Sequence, residues 1–285
     1  MSVKNKNIIL FAAIIFLCEC KEKSDEPYPN EYIVTDNAQG AMYFHAIFRE
    51  AEYVWAYIDS MDYAEGVYRL PESPSTDYRE LICTEDKEKN TNTVIVEYHD
   101  WKTNHLSLAG KIKVIFSNDS SYRKNGKVAN VYLEDFSING QDVVGESTIK
   151  FTGNSEKDLY AYTLSNGSAI YQLGNSKSVL ISGGVNNGQY ERVEGMETFS
   201  QDDDVWAFQG VMTGQLRNDP NLKYTNTVSA TVMIDGARED GRVFYNMSCK
   251  IAQKGFSQIK IPKRPEIDFE YECSRCRFTS VTHID

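Results

Sequence analysis

The chain has 285 residues and a mass of 32.4 kDa, and its 41% hydrophobic residues suffice for one large or two small packed cores, which excludes a disordered tail. Lys and Arg total 30 against 41 Asp and Glu, so a net charge of −11 repels nucleic acid and anionic membrane surfaces, with no local basic patch to override it. Eighteen Tyr, only seven Pro and a mean hydropathy of −0.47 describe a soluble, β-favouring body.

Residues 1–19 place Lys4 and Lys6 before an apolar run from Ile8 to Leu17 that ends at Cys18 and Cys20, the layout of a secretory signal. The run is about half of the roughly 20 apolar residues a membrane-spanning helix needs, so any membrane attachment is expected to be covalent. Residues 20–34 are polar, contain Pro27 and Pro29, and read as a flexible tether. Thr35 or Asp36 can then cap a helix that reaches about Asp62 within a helical region 35–66. Its apolar residues Ala41, Phe44, Phe48, Ala51, Trp55 and Ile58 step by three and four along one face, broadened by Ile47 and Val54. That stripe predicts packing onto a sheet, because the repeat is too short and too aromatic at its seam for a coiled coil.

Past Gly66 the period becomes two. Val94, Val96 and Tyr98 alternate, as do Ile112, Val114 and Phe116, and later Val228, Ala230, Val232 and Ile234. Asn-Gly pairs at 125, 139, 166 and 187 and Asp-Gly pairs at 235 and 240 offer the positive φ of tight hairpin turns. The predicted fold is mainly β: an antiparallel, sandwich-like body with one N-terminal helix packed on it. Two β regions, 67–178 and 179–285, meet near the Gly/Ser/Asn-rich stretch GNSKSVLISGGVNNG, although a single elongated sandwich fits the length as well.

The Cys20 region, with Leu17 three positions ahead and Lys21, Glu22, Lys23, Ser24, Asp25 and Glu26 behind, resembles the lipobox and charged tether of surface-exported Bacteroidetes lipoproteins. Cys18 is the alternative acylation site. The segments 81–100, 110–149, 202–215 and 248–261 and the closing IDFEYECSRCRFTSVTHID resemble, in order, a family of such lipoproteins whose function is uncharacterised. That resemblance implies an outer-membrane, lipid-anchored protein facing the cell exterior, with a helix after the tether and a long β region. One departure is local: Phe269, Glu270, Tyr271 and Glu272 stand where the family carries glycines before the cysteine.

Candidate chemistry is sparse. Cys83, Cys249, Cys273 and Cys276 remain after processing in a compartment where disulfides persist, and the favoured bridge joins Cys249 to Cys273 or Cys276. Zinc on Cys273, Cys276, Cys249 and His283 is a weaker expectation, since only one CxxC is present. Asp202, Asp203 and Asp204 beside Trp206 invite a calcium ion or a sugar platform, although consecutive strand carboxylates cannot all converge on one ion. Trp101 and Trp206 are the aromatic candidates for stacking on a sugar ring. His45 is expected at the margin of the helix stripe and His99 near a strand end. No HExxH, GxSxG, GxGxxG or P-loop pattern occurs. The expectation is therefore a non-enzymatic binding or structural envelope protein with glycans or surface proteins as partners. A glycan-binding module is the first alternative and a glycoside hydrolase the second.

Overall fold

The structure, a computed structural model, describes residues 65–70, 78–102, 107–117, 125–153, 161–173, 177–194, 204–216, 219–234, 236–246, 252–274 and 277–284, with Ile33, Val34, Asn37, Ala41, His45, 47–52 and Val54 before them. The strands are β1 (Gly66–Leu70), β2 (Tyr78–Asp86), β3 (Thr91–Lys102), β4 (Ser107–Ser117), β5 (Val128–Ile138), β6 (Gln141–Phe151), β7 (Ala161–Leu173) and β8 (Lys177–Glu194). They continue as β9 (Val205–Leu216), β10 (Asp219–Val228), β11 (Thr231–Ile234), β12 (Ala237–Asp240), β13 (Val243–Asn246), β14 (Ala252–Lys260), β15 (Ile267–Ser274) and β16 (Arg277–Ile284). Fourteen of them form one sheet, thirteen in the order β1 to β10, then β14, β15 and β16, with β13 off this path. Its pairings are all antiparallel, so neighbours in sequence are neighbours in space, as the turn-rich sequence predicts. β13 pairs with both β9 and β14, and β11 and β12 form a separate ribbon between β10 and β13.

The period-two pattern sorts the two faces of this sheet. Leu81, Val94, Val96, Ile112, Val114, Val131 and Ile149 point inward and are fully buried. On the outward face Glu80, Glu97, Lys111 and Glu134 stand abreast across β2 to β5, and Lys111 lies 3.4 Å from Glu97. Charges across the middle of four strands make this a water-facing surface, unlike the apolar band of a membrane barrel.

The described N-terminal residues before 55 are helical and all are buried. Two steps along a helix turn the side chain by about 200°, so Phe48 and Glu50 point in opposite directions. Phe48 stacks on Tyr190 of β8 at 3.9 Å and meets Trp206 of β9 edge-on at 5.3 Å. Glu50 instead meets Arg79 of β2 and Tyr98 of β3. His45 stacks on Tyr245 of β13 at 4.0 Å, and Asn37 donates to the Tyr271 hydroxyl of β15 at 3.3 Å. One sheet therefore bends around the helix and covers it on opposite sides, a sandwich-like arrangement with the helix as its filling.

The bend has a local cause. Register slips fall between Tyr98 and Trp101, between Ala109 and Lys111, and between Tyr132 and Ser137 in three adjacent strands. Asp100 and Asp135 take positive φ there, and so does Gly110. A Cβ on Gly110 would lie 2.0 Å from the Asp135 carbonyl oxygen, so only glycine fits. Aligned bulges increase twist and bend the strands, and they do so where Tyr98, Trp101 and Phe136 approach one another.

Several expectations need correction. Ile33 and Val34, assigned to the tether, are helical and buried, so the helix begins ahead of the Thr35 or Asp36 cap. Phe44, Trp55 and Ile58 lie outside the described residues, while Arg49, Glu50 and Glu52 are buried despite standing off the apolar stripe. The division at 178/179 falls inside β8, and the sheet runs through it. Of the six turn dipeptides, Asn139-Gly140 closes the β5–β6 hairpin, and Gly236, at φ 82°, lies between the paired β11 and β12, with Asp235 outside the described residues. Asn125-Gly126 forms the turn that leads into β5. Asn166-Gly167 and Asn187-Gly188 lie within strands, at paired register slips of β7 and β8, and Asp240-Gly241 leads from β12 toward β13. The segment Phe269 to Glu272 is regular strand in β15.

Candidate functional site

The aromatic and acidic sequence candidates that fall within the described residues, Trp101, Trp206 and Asp204, belong to the interior. Trp206 is fully buried, packed against Phe48 and, at 5.6 Å, Tyr162. Trp101 is buried under the Arg79 guanidinium, which sits 4.3 Å above its ring. Neither indole can stack on a sugar, which removes the aromatic platform expected from the sequence. Asp204 is buried and paired with Arg192 at 3.5 Å, an internal ion pair that takes it out of any solvent-facing calcium loop. Asp202 and Asp203 lie outside the described residues, and among the described residues no cluster of metal-ligating side chains occurs.

The helix brings a charged group into the core. Glu50 accepts hydrogen bonds from Arg49, from Arg79 at 3.3 Å and from the Tyr98 hydroxyl at 2.8 Å. Burial alone pushes its carboxyl up, but the Arg49 and Arg79 charges and the Tyr98 hydrogen bond outweigh that and hold it below the ordinary value. The cluster is sealed from solvent and its hydrogen bonds are directed at itself, so it orients the helix.

His45 is the second buried titratable group on the helix. Corrected from the expected stripe margin, it lies wholly inside, between Tyr245 and Phe48, and neither ring nitrogen has a hydrogen-bond partner among the described residues. Burial, reinforced by the Arg49 charge, holds its imidazole well below the ordinary value. The unfolded chain takes up this proton below about pH 6.5 while the folded chain does not, so stability falls on acidification, by up to about 1.4 kcal/mol per pH unit. Urea midpoints measured from pH 7 to pH 5 should decline, and His45→Phe, which keeps a flat ring and cannot titrate, should flatten that decline.

The outward face carries a groove that no sequence signal announces. Thr163, Gln189 and Gln209 stand abreast on β7, β8 and β9, and in the next row Ala161, Glu191 and Ala207 do so, with Phe244 of β13 beside Ala207. The two alanines form a low floor between longer side chains. The resulting groove has a volume of about 250 Å³ and is closed on one side by Arg242. Arg242 donates to both carboxylate oxygens of Asp240 and, at 2.8 Å, to Glu191. Its hydrogen bonds hold Asp240 below the usual carboxylate range. Gly255, at φ 130°, lets this wall sit down on β14, because a Cβ there would lie 2.3 Å from the Arg242 carbonyl oxygen. Gln209 Nε2 donates to Gln189 Oε1 at 2.5 Å.

Cys18, Cys20, Cys249 and Cys276 lie outside the described residues, and Cys273 is described only by its backbone in β15. Cys83 is a free, buried thiol whose pKa burial pushes up to about 11. His283 pairs by backbone with Phe269, at the opposite end of the β15–β16 hairpin from Cys273, so Cys273 and this histidine are not brought together along the ladder. No family model, curated protein or solved structure matches the chain.

Proposed function

We propose that this is an exported protein, anchored to the outer membrane by a lipid on Cys20 (Cys18 as the alternative) and facing the cell exterior, that binds its ligand without catalysis. The observation that carries the binding part is the division of labour between the faces. The concave face is filled by the helix, and its carboxylates Glu50 and Asp204 are spent on internal pairs, while the outward face presents a polar groove. The anchor rests on the N-terminal sequence and on its resemblance to Bacteroidetes lipoproteins. A disulfide from Cys249 to Cys276 or Cys273 suits this location. β14 begins three positions after Cys249, β15 ends two before Cys276, and these strand ends lie together in one antiparallel pair.

A hydrolase has less support. Inverting and retaining glycosidases both need one carboxyl kept protonated to act as an acid, whereas Arg242 holds Asp240 in the opposite direction. The location is tested by growing producing cells with a labelled palmitate analogue and treating intact cells with protease. The wild-type chain should carry the label and be cleaved, and Cys20→Ala should lose the label. Absence of label from the wild type, or label retained in Cys20→Ala and lost in Cys18→Ala, would overturn the anchor assignment to Cys20.

A further inference from the structure

We infer that the groove between Gln189, Gln209, Glu191 and Arg242 is a subsite for one neutral sugar ring, a step that rests on the non-catalytic binding reading above and names its ligand class. Four observations lead there.

The first is size: about 250 Å³ falls just below the roughly 300–1,000 Å³ of pockets for drug-sized ligands, which suits a single ring. The second is the pattern of unused hydrogen-bonding groups. The amide pair leaves Gln189 Nε2 and Gln209 Oε1 without a protein partner among the described residues, one a donor and the other an acceptor. Arg242 uses Nε, one Nη1 proton and one Nη2 proton on Asp240 and Glu191, leaving one N–H on each terminal nitrogen. Donors and acceptors side by side on planar groups match vicinal hydroxyls, each of which donates and accepts at once.

The third is charge. Arg242 is spent on Asp240 and Glu191, which contact it, and with Lys254 also acting on Asp240 two cations face two carboxylates, so the groove has no net positive charge to draw a uronate or sulfated sugar. The fourth is rigidity. Arg242 is held by two carboxylates and by the seat on Gly255, so its remaining N–H groups are fixed before a ligand arrives.

The test is affinity electrophoresis of the purified chain through gels containing dextran, mannan, galactan or polygalacturonate, with reducing ends assayed in parallel. At least one neutral polymer should retard the chain and polygalacturonate should not. Gln189→Leu/Gln209→Leu, which changes only outward side chains, should weaken that retardation at least tenfold while leaving the urea midpoint unchanged. Ala207→Phe, which fills the buried floor, should weaken the retardation as well. Retardation by polygalacturonate alone, retardation that survives in both variants, or no retardation in any gel overturns the sugar subsite and leaves the non-catalytic reading standing. Release of reducing ends overturns the non-catalytic reading instead, whichever gels retard.

Discussion

Replacing Glu50 with alanine is expected to destabilise the chain by about 3–5 kcal/mol, because it leaves Arg79 and Arg49 buried without their shared carboxylate. For a β body of this size that corresponds to a drop in Tm on the order of 10 °C. The loss is larger than that of one hydrogen bond, since the removed carboxylate pairs with two guanidinium groups and accepts from Tyr98 as well. Glu50→Gln should fall between the two, keeping an acceptor for the Tyr98 hydroxyl and losing the charge. Double-mutant cycles with Arg79→Met should recover part of the loss, because the second substitution removes one of the two cations that share Glu50. If Glu50→Ala shifted the urea midpoint no more than a surface substitution does, the helix would not be anchored to β2 and β3 as described.

Trp206→Ala is expected to cost a similar amount, about 3–5 kcal/mol, with no specific loss of ligand binding. The indole packs against Phe48 and Tyr162, and Tyr190 stacks on the face of Phe48. A cavity there opens the contact between the helix and three neighbouring strands at once. Trp206→Phe should cost far less, because it retains a ring and removes an indole N–H that has no partner among the described residues. Circular dichroism with urea titration gives the stability. Affinity electrophoresis of Trp206→Phe gives the binding, and a selective loss of retardation in that folded variant would return Trp206 to the ligand site.

Much of the fold was legible in the sequence because alternation and turn dipeptides are local signals. Val94, Val96 and Tyr98 announced β3 and its inward face, and Asn139-Gly140 and Asp235-Gly236 announced their hairpins. The same dipeptides misled at 166 and 187, where glycine serves a register slip inside paired strands, and a dipeptide does not distinguish a bulge from a turn. The helix stripe was visible, but its enclosure was not. A one-sided apolar pattern predicts one-sided packing, and here Glu50 and His45 are also buried because the sheet bends round to meet them.

The site was hidden for a different reason. Trp101, Trp206 and Asp204 drew attention as residue types, yet a bulky aromatic or a carboxylate in a β strand is read correctly only once its face is known. Gln189, Gln209, Ala207 and Arg242 are ordinary outward strand or turn residues taken singly. They become a groove only through the register that sets β7, β8, β9 and β13 side by side. The one hint in the sequence was Arg242 directly after Asp240-Gly241, a short turn that folds a guanidinium back onto its own carboxylate.

Everything proposed for the outward face depends on the concave face being core. Amide hydrogen exchange of the purified chain, followed by mass spectrometry, tests this most directly. Residues 47–54 should exchange only at the rate of global unfolding, together with β3 and β9, and should accelerate in step with those strands as urea is added. Fast exchange of 47–54 while the strands stay protected would mean that the helix leaves the sheet on its own. The concave face, with Trp206, Tyr190 and Arg79 uncovered, would then be the binding surface in place of the groove.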